Sequence, residues 1–328
     1  MIDPSDSRSQ PKPDIPDAEK TEGLDTAIHH YEQNRERRET LRLEGATRSS
    51  KVRRLSEKML TRTLSGILYS IVVIICLFWG AIPTALLFSA MAWLCCSEFF
   101  RMSRMMGRMP NELIGLAAAV AFALSPLFPP LTLTAIFSVL VLATGVWYVW
   151  TARASVSDAA VTVFAPIYTG YLLSAVTSIR LMHGSATYFG VSAEAVLCFG
   201  VIASIWMNDA VAYLVGSRWG SHRMAPKISP HKTWEGFAGG IVGSIGVWLL
   251  MYAIHLPGVS LPIALLGGVG VGTIGVIGDL FESRLKRSAG VKDSGNFIPG
   301  HGGMLDRTDS ILFGVMTAYF ILRLGGLA

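Results

Sequence analysis

The sequence predicts an all-α polytopic membrane protein with about nine transmembrane helices and a cytoplasmic N-terminus. Three observations predict it. Of 328 residues, 51% are hydrophobic and 16% charged, against roughly 25% charged in a soluble domain. Apolar runs of near-membrane length follow one another from about residue 64 onward. Lys and Arg gather in alternate connections between those runs, as the positive-inside rule requires. The formal net charge of +5 is therefore read as topology, and nucleic acid is not expected as a partner.

Residues 1–58 are polar and form the first region. Pro4, Pro11, Pro13 and Pro16 lie among Asp, Ser and Lys, a composition that does not build a core and predicts disorder. From about Asp25 to Lys58 the chain is rich in Glu and Arg with little Pro or Gly, and reads as a helix on the membrane surface or a solvated tail. The first apolar run starts too far in for a cleaved signal peptide. Residues 59–328 form the second region, with runs at about 64–79, 81–100, 112–127, 131–150, 159–180, 193–215, 236–254, 261–280 and 310–326. Each is near the ~20 residues that cross a hydrocarbon core. Pro83, and Pro126 with Pro129 and Pro130, mark turns between them. The inner connections hold Arg101, Arg104 and Arg108, then Arg153, then Arg218 to Lys232, then Arg284 to Arg307, whereas the outer ones near 80–83, 126–130 and 255–262 hold none. Cys76, Cys95, Cys96 and Cys198 sit inside apolar runs without metal or disulfide spacing, and read as small buried hydrophobes.

Acidic residues beside spans cost ~2.5–3.5 kcal/mol each at mid-membrane and so mark function. Glu98, Asp209, Asp279, Asp306 and Asp309 all fall at the inner ends of their runs. Three stretches surround them. In the first, Asp209, Tyr213, Gly216 and Gly220 share a helix face, the glycines allowing close packing. The loop that follows carries Lys227, Ser229, Lys232 and Glu235, a set suited to gripping phosphate. In the second, a helix continuing past Asp279 puts Asp279, Glu282, Ser283 and Lys286 on one face, beside Arg287. The third runs from Lys292 and Asp293 through His301, Gly302 and Gly303 to Asp306, Arg307 and Asp309. Its glycines let backbone amides approach an anion at a helix start. Asp306 and Asp309, one turn apart, would repel each other without a partner, so a divalent cation between or near them is expected, and hard oxygen donors favour Mg²⁺ over zinc.

The run Ser283, Lys286, Arg287, Lys292, Asp293, Gly295, Ile298, Pro299, His301, Gly302, Gly303, Asp306, Arg307, Asp309 resembles the signature of the phosphatidate cytidylyltransferase, or CDP-diacylglycerol synthase, family at every position. Ser229 to Gly236 and Gly278 to Ser283 are similar to two further stretches of that family. The resemblance implies an all-helical, nine-span fold, with residues 59–328 as the cytidylyltransferase domain. It implies the reaction of CTP with phosphatidate to CDP-diacylglycerol and diphosphate. It also implies Mg²⁺ on Asp279 and Asp306, with K⁺ at a paired site. With the chemistry of the motifs, it gives Asp279, Asp306, Lys286, Arg287 and His301 as catalytic. Asp209, Lys227, Ser229, Lys232, Glu235, Ser283, Lys292, Asp293, Gly302, Gly303, Arg307 and Asp309 are then expected at the substrates.

Two other classes compete. A CTP-dependent kinase of a polyprenol or related alcohol, or a cytidylyltransferase for a different lipid phosphate, differs in its product, and a transporter would line the midplane with its acids, whereas these cluster at one face. The expected setting is a bacterial inner membrane with the site facing the cytoplasm. The bilayer, CTP and phosphatidate are the expected partners, and a homodimer is kept as a candidate assembly.

Overall fold

In the computed structural model the described residues are Gln33, Arg37, 66–182, 187–188, 190–295 and 302–327. The chain divides into Met1–Leu60 and Thr61–Ala328. In the first unit only Gln33 and Arg37 are described, both helical, so the tail's expected disorder and surface helix lie outside the described residues.

In the second unit every apolar run is helical. The elements are α1 (Gly66–Trp79), then α2 (Ala81–Met105), α3 (Glu112–Leu124), α4 (Leu131–Trp150), α5 (Val156–Pro166), α6 (Leu172–Arg180), α7 (Ala193–Trp219), α8 (Trp234–Ala253), α9 (Leu261–Ser288) and α10 (Leu305–Leu324). A π-helical turn at Ile167–Tyr171 follows Pro166 and joins α5 to α6 as one span, since proline cannot donate the next helical hydrogen bond. Among the described residues six helices are long and apolar enough to cross a membrane. On α4 only Leu140 and Thr144 are buried, while Leu131, Val139, Val141, Leu142, Val149 and Trp150 are each more than half exposed. Water would not tolerate such a face, so the chain is an integral membrane protein with lipid as its solvent.

The structure refines three boundaries. Pro83 lies in the first turn of α2, and Gly80 with its positive φ makes the turn after α1. The connection near 220–233 is a hairpin, β3 (Arg223–Ala225) with β4 (Ser229–Thr233), and a smaller ladder pairs β1 (Thr187–Tyr188) with β2 (Val191–Ser192). Helices α7 and α9 run past the expected ends at 215 and 280, to 27 and 28 residues. At 1.5 Å per residue each is about 40 Å long, longer than the ~30 Å hydrocarbon core.

The interior is knitted by buried aromatic and aliphatic side chains, with Trp248, Phe88, Phe100 and Phe122 fully enclosed. Phe281 of α9 packs on Tyr168 at 5.0 Å and Phe313 at 6.0 Å between ring centroids. It locks α9 and α10 against the α5–α6 span, directly beside Asp279 and Glu282. The cysteines are free thiols, with Cys95, Cys96 and Cys198 buried.

Candidate active site

A cavity of about 650 Å³ opens between α7, α8, α9 and α10, with the β3–β4 hairpin contributing to its wall. The C-terminal parts of α7 and α9 and the N-terminal ends of α8 and α10 meet there, so the polar stretches converge although the first is far in sequence from the other two. Four carboxylates line it, from Asp209, Asp279, Asp306 and Asp309. Lys232 of β4 enters the same space and pairs with Asp279, Nζ to Oδ2 at 2.5 Å. Ser283, one turn along α9, donates to Asp279 Oδ1 at 3.2 Å.

Beside the cavity lies a second, more enclosed network. Lys286 Nζ is 2.6 Å from Asp306 Oδ1 and 2.5 Å from Oε2 of Glu282, whose side chain is fully buried. The spacing of Asp279, Glu282, Ser283 and Lys286 thus acts as a helix face, because α9 continues unbroken to Ser288. Asp306 finds a partner within the chain, because that same extension carries Lys286 alongside the start of α10. Asp306 Oδ2 accepts Ser294 N–H at 2.9 Å, Ser294 Oγ at 3.0 Å and Gly303 N–H at 2.8 Å. Gly302, in the left-handed region at φ 83°, sits against this carboxylate, where a Cβ would lie 2.5 Å from Oδ2.

The hairpin is held from its base. Glu235 turns to His222, accepting from the backbone N–H at 3.2 Å and lying 2.6 Å from Nδ1. Thr233 caps α8 by accepting Gly236 N–H. Gly236 packs on Gly216 of α7, and a Cβ on Gly236 would stand 2.7 Å from the Ala212 carbonyl. Small residues are what let these helices close together beneath the cavity.

Of the other expected residues, Lys227 is exposed at the hairpin turn and Ser229 opens β4. Arg287 turns to the carbonyls of Ile228, at 3.4 Å, and Val291, at 3.1 Å, tying the hairpin to the end of α9. Lys292, Asp293 and Arg307 are exposed, and none of these residues lines the cavity. His301 lies outside the described residues. The cavity wall also takes Tyr213, Arg223, His231 and Ser310, which motif spacing did not single out as binding residues. Glu98, expected to converge with the other acids, stands behind the wall and is linked to Asp306 through Ser294.

Among the described residues, no three of His, Cys, Asp or Glu are grouped as they would be around one ion. A cation here would take one or two carboxylates and fill its remaining positions with phosphate oxygens and water, the coordination Mg²⁺ favours. The donor set therefore fits a hard divalent ion shared with a phosphorylated ligand.

Fold and cavity define an integral membrane protein with an acid- and lysine-lined pocket at one end of its helices. Residues 60–325 match the model of the cytidylyltransferase family. A Bacillus subtilis (strain 168) protein named phosphatidate cytidylyltransferase is 35% identical over 277 residues, 81% of this chain and 98% of that relative. A Staphylococcus epidermidis relative of the same name is 47% identical over 109 residues, 33% of this chain and 42% of its own length. A Mycobacterium bovis relative of that name is 41% identical over 126 residues, 38% of this chain and 41% of its own length. The chain belongs to the cytidylyltransferase family. It is a nucleotidyltransferase.

Proposed function

We propose that the chain transfers the cytidylyl group of CTP to phosphatidate, giving CDP-diacylglycerol and diphosphate, at the cytoplasmic face of a bacterial inner membrane. The observation that carries this reading is the single cavity gathering Asp209, Asp279, Asp306 and Asp309 with Lys232. Its place supports a lipid headgroup as substrate, because exposed Trp219 and Trp234 flank the hairpin at the same end, and tryptophan favours the membrane interface. The name of the Bacillus relative, matched over nearly its whole length, supports the same substrates. The ten helices among the described residues, with α5 and α6 forming one span, and the distribution of Lys and Arg support nine spans with the N-terminus inside.

An oxygen of the phosphatidate phosphate attacks the α-phosphorus of CTP. The bond from that phosphorus to the β-phosphate oxygen breaks, and its electron pair leaves on diphosphate. The nucleophile is already anionic, so the protein's work is positioning and charge neutralisation. Lys232, in the cavity wall, and Lys286, in the network beside it, meet phosphate oxygens. Lys227, Arg287, Lys292 and Arg307 draw the triphosphate and headgroup toward it, and Ser229, with the amide of Gly302, adds uncharged donors, while the Gly303 amide holds Asp306. His301 stands as acid toward diphosphate. Asp209, Glu235, Asp293 and Asp309 orient the cations, and Ser283 orients Asp279. Asp279 and Asp306 would hold Mg²⁺, which when bound offsets phosphate charge, with K⁺ at a paired site. A homodimer belongs to the same proposal.

The test uses the full chain in detergent with α-labelled CTP, phosphatidate and Mg²⁺, with and without EDTA. Label entering the lipid with release of diphosphate, and stopping with EDTA, is expected. Labelled CDP with an unlabelled lipid phosphate would instead identify a kinase.

A further inference from the structure

We infer that Glu98, on a helix that contributes nothing to the cavity wall, is a positioning residue that fixes Ser294 and the start of α10 around Asp306. Glu98 is only 7% exposed. Its Oε1 accepts Met304 N–H at 2.9 Å, and its Oε2 accepts Leu305 N–H at 2.9 Å and Ser294 Oγ at 2.8 Å. Helix α10 has no capping side chain of its own. The Met304 and Leu305 amides are among the free donors at its start, where an anion is favoured. Glu98 therefore caps α10 from α2, about 200 residues away in sequence.

The same carboxylate organises Asp306. The Ser294 hydroxyl stands between the two acids, 2.8 Å from Glu98 and 3.0 Å from Asp306. Ser294 N–H and Gly303 N–H hold the same Asp306 oxygen. Arg101, one turn along α2, donates to the Ser294 carbonyl, so α2 grips both the donor and the acceptor side of this residue. Glycine at 295 and at 303 fits the arrangement. A Cβ at either position would run into the Glu98 carboxylate, and at 303 also into the Ser294 hydroxyl. With Oδ2 held by the loop, Oδ1 faces Lys286. The orientation of Asp306 at the cavity thus depends on a residue outside it. The inference rests on the proposed function only in treating Asp306 as part of the reacting site.

The test compares the detergent-purified full chain with Glu98→Gln, which keeps the shape but removes the charge and turns one acceptor into a donor facing donors. Hydrogen exchange at 291–295 and 302–305 is expected to quicken about tenfold or more, as charge-assisted contacts are lost, while α7 to α9 are unchanged. The kcat for CDP-lipid formation should fall about tenfold or more, since small misplacements of reacting groups are costly. KM for CTP and for phosphatidate should stay within about threefold, a split that general loosening of the fold would not give. If Glu98→Gln does not fold, Glu98→Asp keeps the charge and should give an intermediate loss in both readouts. Unchanged loop exchange, or kcat within about twofold of the parent in the folded variant, overturns the inference. If the parent chain forms no CDP-lipid, the functional reading fails and loop exchange alone decides the role of Glu98.

Discussion

Lys286 illustrates how one residue joins stability to chemistry. Its ammonium is the common partner of Glu282, which is fully buried, and Asp306, whose side chain is 7% exposed. Removing one member of a buried charge network leaves the others uncompensated and costs about 3–5 kcal/mol. Lys286→Met should therefore lower the thermal midpoint in detergent as well as activity, and adding Glu282→Gln should restore part of the midpoint but not the activity. A single variant with an unchanged midpoint would show that the pair carries no such weight. Lys232 differs in being a quarter exposed and facing Asp279 across the open cavity. Lys232→Ala should leave stability near the parent, because partly exposed pairs contribute little, and should raise KM for CTP, measured in the same assay. The spacing of Asp279, Glu282, Ser283 and Lys286 was legible because a helix repeats over short distances. The bond from Glu98 to Ser294 was not, because no local period links residues 196 positions apart.

At the scale of elements, the site is a meeting of helix ends. Apolar length alone revealed all nine helical runs and their order. It missed the last turns of α7 and α9, because those turns are polar and outlast the hydrophobic signal. The β3–β4 hairpin was also illegible. Pro226 and Pro230 argue against a strand in sequence, but Pro226 falls in the turn between the strands, and Pro230 is tolerated in a ribbon of only two strands. What seats the hairpin is the approach of α8 to α7 at Gly236 and Gly216. Gly236→Ala would force its new Cβ on the Ala212 carbonyl. Overpacking of this kind costs about 1–3 kcal/mol. A lower melting temperature is expected, with a larger fall in activity than Lys227→Ala produces at the exposed tip.

Across the whole molecule, convergence of the polar stretches was foreseen from the shared depth of five acids. Four of them do line one cavity, and the fifth supports it from behind. The proposed orientation makes a separate demand on the bilayer. In a cysteine-free background, single cysteines at Lys227 and Gly290 should react with an impermeant reagent only from the cytoplasmic side. One at Ser260, at the opposite end of α8 and α9, should react only from the other side. Labelling of Lys227 and Gly290 from different sides would separate the loops that form the pocket.

The most direct measurement is turnover by Asp279→Asn in the full-length, purified chain, scored as labelled CDP-lipid at saturating CTP, phosphatidate and Mg²⁺. The substitution keeps the side chain's shape and its bond with Ser283 while removing the charge at the centre of the cavity. Expected is a correctly inserted protein that melts near the parent temperature and forms no detectable CDP-lipid. Near-normal turnover would contradict the assignment of cytidylyl transfer to these carboxylates.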